Sequence, residues 1–192
     1  MARNVEFDEE RAIRAAMEVF WEKGYKGASL RDLTEAMKIN PSSLYNTIGD
    51  KHALFLRCVR RYTDDRKEYI ETHAESSRSP LKTIEIFMHD AVTNITSSPR
   101  SCMAIKAAFE VAADDSRVQA ILKDDSDTTY RFLCSLLTSA IKKGEIRAED
   151  DAELLTDYLL SSYIGWHESF LLNRDPLKIQ RMAHFLLKQL TR

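Results

Sequence analysis

The sequence contains few of the residues that interrupt helices, with five glycines and four prolines among 192 residues. Inside a helix, glycine costs about 1 kcal/mol and proline about 3 kcal/mol relative to alanine. Their scarcity, together with abundant Ala, Leu, Glu, Lys and Arg, therefore favours helix over sheet. No strand-like alternation of convincing length and no internal repeat is present. We expect an all-α fold, and the 44% of apolar residues can support one generous domain or two small ones.

Long apolar runs and cysteine frameworks are also missing. No apolar run approaches the roughly 20 residues needed to span a bilayer. The opening "MARNVEFDEERAIRAAMEVF" is amphipathic and acidic, unlike a signal segment. The three cysteines are odd in number and form no CxxC pair, which favours a reducing compartment. We expect a cytoplasmic protein without a membrane partner.

The sequence also lacks the motifs of an enzyme. It has no glycine-rich phosphate loop and no nucleophile elbow. The carboxylate pairs Asp114-Asp115 and Asp124-Asp125 are adjacent, so on a helix they point about 100° apart, and no His or Cys lies at ligand spacing nearby. We interpret them as helix starts and a solvated face. We expect no catalytic residue, no metal site and no cofactor.

Charge alone does not indicate a partner. The net charge of −2 argues against a nucleic-acid binder, although the first 67 residues hold 13 Lys and Arg against 11 Asp and Glu. This asymmetry is too mild to decide between partners. Local patterns therefore carry the functional argument.

Caps and stops divide the first 75 residues into four helices. Apolar positions recur at helical spacing from Asp8 to Lys23, and Gly24 stops them. Ser29 and Asp32 have capping-box spacing and open the two-turn helix "SLRDLTEAM". A third helix begins at Pro41 after the N-cap Asn40 and ends near Ile48, before Gly49. A fourth begins after the cap Asp50 and continues towards Glu75.

The remainder of the chain is also helical in pattern. The stretch "SSRSP" (76–80) is its best boundary, and later stops predict helices of roughly 81–97, 101–112, 116–143, 150–172 and 176–190.

The second and third helices, joined by three or four residues, form a helix-turn-helix arrangement. The third helix has small polar residues at its start, so it can enter the major groove of DNA. Asn46 can pair with an adenine edge, and Thr47 can touch a thymine methyl or a phosphate. Leu44 and Ile48, four residues apart, are expected to pack inward. The alternative for the same residues is a solvated helical hairpin.

Residues 8–62 resemble the DNA-binding domain of the TetR family of transcriptional repressors, through "ASLRDLTEAM" and "INPSSLYNTIGDKHALF". The resemblance implies that Tyr45 and Lys51 contact phosphates and that Ser29 supplies the capping hydroxyl of the second helix. Lys38 stands where the family usually has glycine, so a left-handed backbone there would be slightly strained; its side chain reaches either a phosphate or only solvent. The expected DNA-binding residues are Ser29, Arg31, Lys38, Pro41, Ser42, Ser43, Tyr45, Asn46, Thr47 and Lys51.

The resemblance also implies a domain organisation. Residues 1–50 would form the helix-turn-helix domain, the fourth helix (51–75) a connection, and residues 51–192 a helical effector-binding and dimerisation domain. Two helices near the chain end would pair with those of a second copy, and their monomer-core reading stays open. The expected dimer residues are Leu155, Tyr158, Leu159, Ser162, Trp166, Phe170, Ile179, Met182, Ala183, Leu186 and Leu190.

The middle of the larger domain would hold an effector pocket, again by resemblance. Its candidates are apolar or aromatic with a few polar groups. Each of them is also compatible with an ordinary core position, and His89 and His167 are read as solvated or satisfied by neighbours. The candidates are Phe87, Met88, Met103, Phe109, Tyr130, Phe132, Trp166 and His167.

Cys102 is a possible redox sensor. It lies just inside the start of the predicted helix 101–112, where the helix dipole lowers the pKa of a thiol, and Arg100 and Lys106 are near in sequence. Some TetR relatives sense electrophiles or oxidants with a cysteine at this place. A small buried thiol is the alternative, and it is the reading for Cys58 and Cys134.

Together these features predict a homodimeric repressor that binds palindromic double-stranded operator DNA and is released by a small-molecule effector. The alternatives are an oxidant-sensing repressor acting through Cys102, an activator, and a helical interaction protein without DNA binding. The last would leave the basic residues Lys26, Arg31, Lys38 and Lys51 unexplained. The effector, the operator sequence and the target genes stay open.

Overall fold

The computed structural model describes residues 8–73, 77–97, 100, 102–147, 149 and 151–190. Its helices are α1 (Glu9–Gly27), α2 (Leu30–Met37), α3 (Pro41–Thr47), α4 (Lys51–His73), α5 (Pro80–Ser97), α6 (Met103–Ala107), α7 (Ser116–Lys142), α8 (Ala152–Asn173) and α9 (Pro176–Leu190). A π-helical turn, Ala108–Ala112, follows α6. No strand occurs among the described residues, and the all-α prediction is confirmed. None of the helices within these ranges is long and apolar enough to cross a membrane.

The predicted helix starts are confirmed by their caps. Asp8 accepts a hydrogen bond from the backbone N–H of Arg11, and Ser29 with Asp32 forms the complete capping box. Asn40 Oδ1 accepts from the backbone N–H of Ser43 at 2.8 Å, with Pro41 as the first residue of α3. These caps satisfy donors that the first helical turn leaves unpaired, which is why short local motifs located the helices.

Two predicted helices differ in detail. Gly24 interrupts α1 as expected, with φ of 77° and ψ of 171°, but one more turn follows as far as Gly27. The predicted helix 101–112 is α6 followed by the wider π-helical turn. Residue 101 and the last predicted residues of the fourth helix, 74–75, lie outside the described residues.

The chain divides into two compact units. Unit 1 comprises residues 1–65 and 106–122, and unit 2 comprises 66–105 and 123–192. The core of unit 1 includes Phe20, Leu33, Leu44, Leu54 and Val118, each at most 1% exposed. The predicted domain boundary at residue 50 separates functions, whereas these units are defined by compactness. That boundary therefore stays a prediction.

The core of unit 2 is formed by apolar residues of α5, α7, α8 and α9. Its fully buried members include Ile84, Met88, Leu137, Leu159 and Ile179, each at most 1% exposed. Burying a side chain of this size stabilises the fold by about 1.5–3 kcal/mol.

Candidate functional sites

Helix α3 presents a polar face to solvent and is held from within by one leucine. Leu44 is completely buried, and Ile48 is 8% exposed, which confirms that both pack inward. The expected base-reading residues Pro41, Ser42, Asn46 and Thr47 are exposed, and Ser43 is half-buried. A helix of two turns with such a surface fits the major groove of B-DNA.

The two expected phosphate-contacting residues flank this face. Tyr45 is 53% exposed, an unusual position for a large aromatic side chain. Lys51 is the first residue of α4, and its Nζ lies 4.8 Å from the centroid of the Tyr25 ring. Such a cation–π contact restricts the lysine without neutralising it. The start of α4 also favours an anion, because its unpaired N–H groups and its dipole are positive there.

The remaining expected DNA-binding residues have three different environments. Ser29 Oγ accepts from the backbone N–H of Asp32 at 3.1 Å, so its hydroxyl acts as a cap. Arg31 is 86% exposed and pairs with Glu35 at 2.7 Å. Lys38 is exposed and has φ of 56° and ψ of 41°, which confirms the left-handed backbone expected at this position.

The end of α1 is bound by two side chains from the segment 106–122 of the same unit. Lys106 Nζ donates to the carbonyls of Trp21 and Glu22, both at 3.1 Å. Glu110 accepts from the backbone N–H groups of Tyr25 at 3.0 Å and Lys26 at 2.7 Å. The break at Gly24 frees these backbone groups, and we call the Lys106–Glu110 pair the α1 clamp. Lys106 is near Cys102 in sequence, but its ammonium group binds the end of α1.

The start of α4 is bound by the same segment. His52 Nε2 donates to Asp115 Oδ2, and Arg117 Nη2 lies 3.0 Å from His52 Nδ1. Asp115 also accepts from the backbone N–H groups of Arg117 and Val118, which confirms its role as a helix start. The hydrogen bond from His52 lowers the pKa of Asp115. One residue after the expected phosphate lysine, α4 is thus tied to the beginning of α7.

Unit 2 contains a partly buried polar cluster around Cys102, which we call the Cys102 cluster: Arg66, Cys102, Asp125, Tyr163 and His167. Arg66 Nη1 lies 3.7 Å from Cys102 Sγ, and Arg66 Nε pairs with Asp125 Oδ1 at 3.1 Å. The side chain of Tyr163 hydrogen-bonds with those of both Arg66 and Cys102. Burial raises the pKa of Tyr163 and that of Asp125.

His167 is the most unusual member of the Cys102 cluster. It is 7% exposed, its Nδ1 accepts from the backbone N–H of Cys102 at 3.4 Å, and its ring meets that of Tyr163 edge-on at 4.7 Å. Its Nε2 has no hydrogen-bond partner among the described residues. Burial and the charge of Arg66 lower the pKa of His167 from 6.5 to about 4. The interpretation of His167 as solvated or satisfied is therefore wrong, whereas His89, with its side chain 80% exposed, is solvated as expected.

The expected effector-pocket residues fall into two groups. Phe109 is 82% exposed and belongs to unit 1, so its assignment to an internal pocket is wrong. The other seven are buried or half-buried in unit 2, where Phe87 and Phe132 have ring centroids 5.5 Å apart. Met88 and Trp166 belong to the main core of that unit. Asp125 also differs from expectation: its carboxylate is 9% exposed and paired, not part of a solvated face.

The expected dimer residues need a larger correction. Six of them are core residues of a single chain, each at most 5% exposed: Leu159, Trp166, Ile179, Ala183, Leu186 and Leu190. Tyr158 and Met182 are exposed, and Leu155, Ser162 and Phe170 are half-buried. Eight large apolar residues are exposed on α8 and α9, and six of them form the set that we call the α8/α9 face: Leu154, Tyr158, Leu172, Leu177, Met182 and Phe185. A groove lined by Tyr158, Ser162, Gly165, Trp166, Met182, Phe185 and Leu186 joins the two helices.

Sequence reasoning missed the charged members of these sites. Arg66 follows Cys58 and Tyr62 at intervals of four, so it lies on the buried stripe of α4, where a charge requires a partner. The position of Arg66 on this stripe could therefore have predicted a charged pair inside the domain. Lys106 and Glu110 are also four apart, but nothing in their spacing distinguishes a clamp from an ordinary pair on a helix surface.

The fold and the exposed α3 define a helix-turn-helix transcriptional regulator. Residues 12–58 match the family described as "Bacterial regulatory proteins, tetR family", and residues 80–186 match "Tetracyclin repressor-like, C-terminal domain". The second match alone covers more than half of the chain. The chain therefore belongs to the TetR family of bacterial transcriptional regulators.

Similar proteins agree with this assignment. The uncharacterized HTH-type transcriptional regulator YezE of Bacillus subtilis is 32% identical over 168 residues, covering 86% of this chain and 87% of that protein. The HTH-type transcriptional repressor ComR of Escherichia coli is 28% identical over 159 residues, covering 80% and 74%. A structure of the TetR family regulator CifR, a cysteine mutant complexed with 26 bp double-strand operator DNA, is 26% identical, has a TM-score of 0.83 and covers 97% of this chain and 98% of that one.

Proposed function

We propose that this protein is a homodimeric repressor that binds a palindromic operator through α3 and leaves it when a small molecule binds in unit 2. The observation that carries the proposal is α3 itself: Asn46 and Thr47 are exposed beside the exposed Tyr45, while Leu44 anchors the helix from below. The similar CifR was solved with operator DNA, which supports the same partner here.

Each exposed side chain of α3 has a distinct role in this proposal. Asn46 pairs with an adenine edge, and Thr47 contacts a thymine methyl or a phosphate. Tyr45 and Lys51 hold phosphates on either side, and they fix the register without reading sequence. Lys51 is well suited because the contact of its Nζ with the Tyr25 ring restricts the side chain at the start of α4.

Binding to the DNA upstream of the protein's own gene tests the proposal by fluorescence anisotropy at several salt concentrations. Asn46→Ala is expected to cost about 1–3 kcal/mol on the operator and to leave binding to unrelated DNA unchanged. Lys51→Met is expected to weaken both and to reduce the slope of log affinity against log salt by about 1. Lys82→Met, in an exposed pair with Glu85 on α5, is the matched control. Equal losses on both DNAs for Asn46→Ala would contradict base reading.

A second copy is required because one recognition helix covers too few base pairs. Dimers of this class place their recognition helices about 34–36 Å or a multiple apart. The α8/α9 face supplies the contact in our proposal, because exposed apolar side chains of this number on one surface favour association.

Effector release would act through the helices that begin in one unit and end in the other. Helix α4 carries Lys51 in unit 1 and Arg66 in unit 2, and the α1 clamp begins four residues after Cys102. A change at either place alters the spacing of the two recognition helices. Coupling of about 1–3 kcal/mol would change operator affinity roughly 5- to 150-fold. An effector that binds tightly but leaves operator affinity unchanged would refute this switch.

Oxidant sensing by Cys102 is the second candidate function, and one contact favours it. Arg66 Nη1 lies 3.7 Å from Cys102 Sγ, and a cysteine beside a cationic side chain is the kind that peroxide oxidises to a sulfenic acid. Hydrogen peroxide or hypochlorite would then release the protein from DNA. A Cys102→Ser variant that responds as the wild type does would end this hypothesis.

A further inference from the structure

The unpaired nitrogen of His167 points to a ligand. We propose that the Cys102 cluster binds an uncharged carbonyl compound, an aldehyde, ketone or amide, whose oxygen accepts a hydrogen bond from His167 Nε2–H. The inference rests on the proposed function, because it names the chemical class of the effector. It adds a binding site with a defined donor.

The tautomer of His167 follows from its one hydrogen bond. Nδ1 accepts from the backbone N–H of Cys102 at 3.4 Å, so it carries no proton. The low pKa of about 4 means that the ring is neutral at pH 7, and its single proton is therefore on Nε2. This N–H is a buried donor without an acceptor among the described residues. Native proteins leave few such groups, and each one requires an explanation.

The other members of the Cys102 cluster are mainly hydrogen-bond donors. The one positive charge among them is already balanced by a carboxylate. Arg66 is neutralised by Asp125, the only carboxylate in the cluster, at 3.1 Å. Tyr163 and Cys102 supply an O–H and an S–H. An anionic ligand would leave one uncompensated negative charge at a site where burial already raises the pKa of Asp125. A neutral acceptor satisfies Nε2 without adding charge.

The residues next to Cys102 and His167 in sequence are buried and apolar, which favours an apolar body on this ligand. Cys102 is 3% exposed, and Met103 and Trp166 are each 2% exposed. The Tyr163 ring covers one side of the His167 imidazole at 4.7 Å. A ligand at Nε2 would therefore present one polar oxygen and otherwise apolar surface, as is usual for small-molecule sites.

The test uses the full-length protein with 15N-labelled histidine and four probes in matched pairs, acetone with acetate and acetophenone with benzoate. NMR is expected to show His167 as the neutral Nε2–H tautomer, and at least one ketone is expected to shift that resonance more than its paired carboxylate. In His167→Asn the amide oxygen can still accept from Cys102 while the Nε2 donor is absent, so ketone affinity is expected to fall at least tenfold. His167→Gln keeps a donor near Nε2 and should retain affinity within about threefold, and His89→Asn is the exposed control.

Three results would overturn the inference: no ketone shifts His167, a carboxylate binds better than its ketone, or His167→Asn binds ketones as the wild type does. If a variant fails to fold, the response of the wild-type spectrum to the four probes still tests the inference. Operator affinity, measured separately by anisotropy, distinguishes the two proposals. A ketone that binds at His167 without changing operator affinity would refute effector release and leave the site intact. Operator binding by a protein that binds no ketone would refute the ketone site and leave the proposed DNA-binding function intact.

Discussion

Replacing Gly24 by alanine is expected to destabilise unit 1 for two separable reasons. The backbone at Gly24, with φ of 77° and ψ of 171°, lies in a region essentially restricted to glycine, so a side chain there costs about 1–3 kcal/mol. An added Cβ would also lie 2.6 Å from Glu110 Oε2 and 3.0 Å from Oε1. The carboxylate must then move and lose its bonds to the N–H groups of Tyr25 and Lys26, which costs about 1.5–3 kcal/mol more.

The net expectation for Gly24→Ala is a loss of about 2–5 kcal/mol, because alanine recovers about 0.4–1 kcal/mol by restricting the unfolded chain. Glu110→Ala alone should cost about 1.5–3 kcal/mol. In the double variant no carboxylate is left to be displaced. The sum of the free energies of unfolding lost in the two single variants should therefore exceed the loss in the double variant by about 1.5–3 kcal/mol.

Urea unfolding of the full-length protein, followed by circular dichroism, measures this cycle, and hydrogen exchange at the Tyr25 and Lys26 amides localises it. Gly27→Ala is the matched control, since its Cβ would meet only Lys23 Cβ at 3.7 Å. That variant should be neutral or more stable by up to about 1 kcal/mol. A Gly24→Ala loss below about 1 kcal/mol, or additive single losses, would refute the α1 clamp as described.

Three further predictions concern other parts of the chain. Lys38→Gly removes a left-handed non-glycine backbone and should raise the free energy of unfolding by up to about 1 kcal/mol, measured in urea; a loss of stability would contradict the strain argument. The folded pKa of His167, about 4, lies below the unfolded value of 6.5, so the wild type should be fully stabilised above pH 6.5 and lose about 3 kcal/mol as the pH falls towards 4. His167→Gln should not lose stability over this pH range. Equal pH profiles of the free energy of unfolding for the variant and the wild type would refute this prediction. Phe185→Arg, on the α8/α9 face, should give monomers in sedimentation velocity, whereas Phe109→Arg, at an even more exposed position in unit 1, should not. A dimeric Phe185→Arg protein would exclude this face as the interface.

The helix boundaries were predictable because the signals that set them are local. A cap such as Asn40 satisfies donors within its own first turn, and a stop such as Gly24 acts on its own backbone. The exposed face of α3 was predictable for the same reason, since once Leu44 is known to face inward the remaining residues face outward.

The α8/α9 face, which we propose as the dimer contact, was not predictable because α8 is apolar on two sides. One stripe, through Leu159 and Trp166, enters the core of unit 2, and the other, through Leu154 and Tyr158, faces solvent. Periodicity identifies an apolar stripe only where the opposite side of the helix is polar. The choice between two apolar stripes depends on packing with α9 and with α5, and α5 lies far away in sequence.

The regions to which we assign DNA binding and effector binding share segments, which would limit how a signal passes between them. Arg66 in the Cys102 cluster and Lys51 beside α3 are on the same helix, and Lys106 of the α1 clamp follows Cys102 by one helical turn. Neither segment contains a glycine or a proline that could absorb a displacement. Because a regular helix resists bending, a ligand that moves Arg66 or Cys102 should act on the contacts at His52 through α4 and on Lys106 through α6 rather than be absorbed within those helices. Loosening the clamp with Glu110→Ala should therefore weaken the coupling between effector and operator while leaving effector affinity itself unchanged.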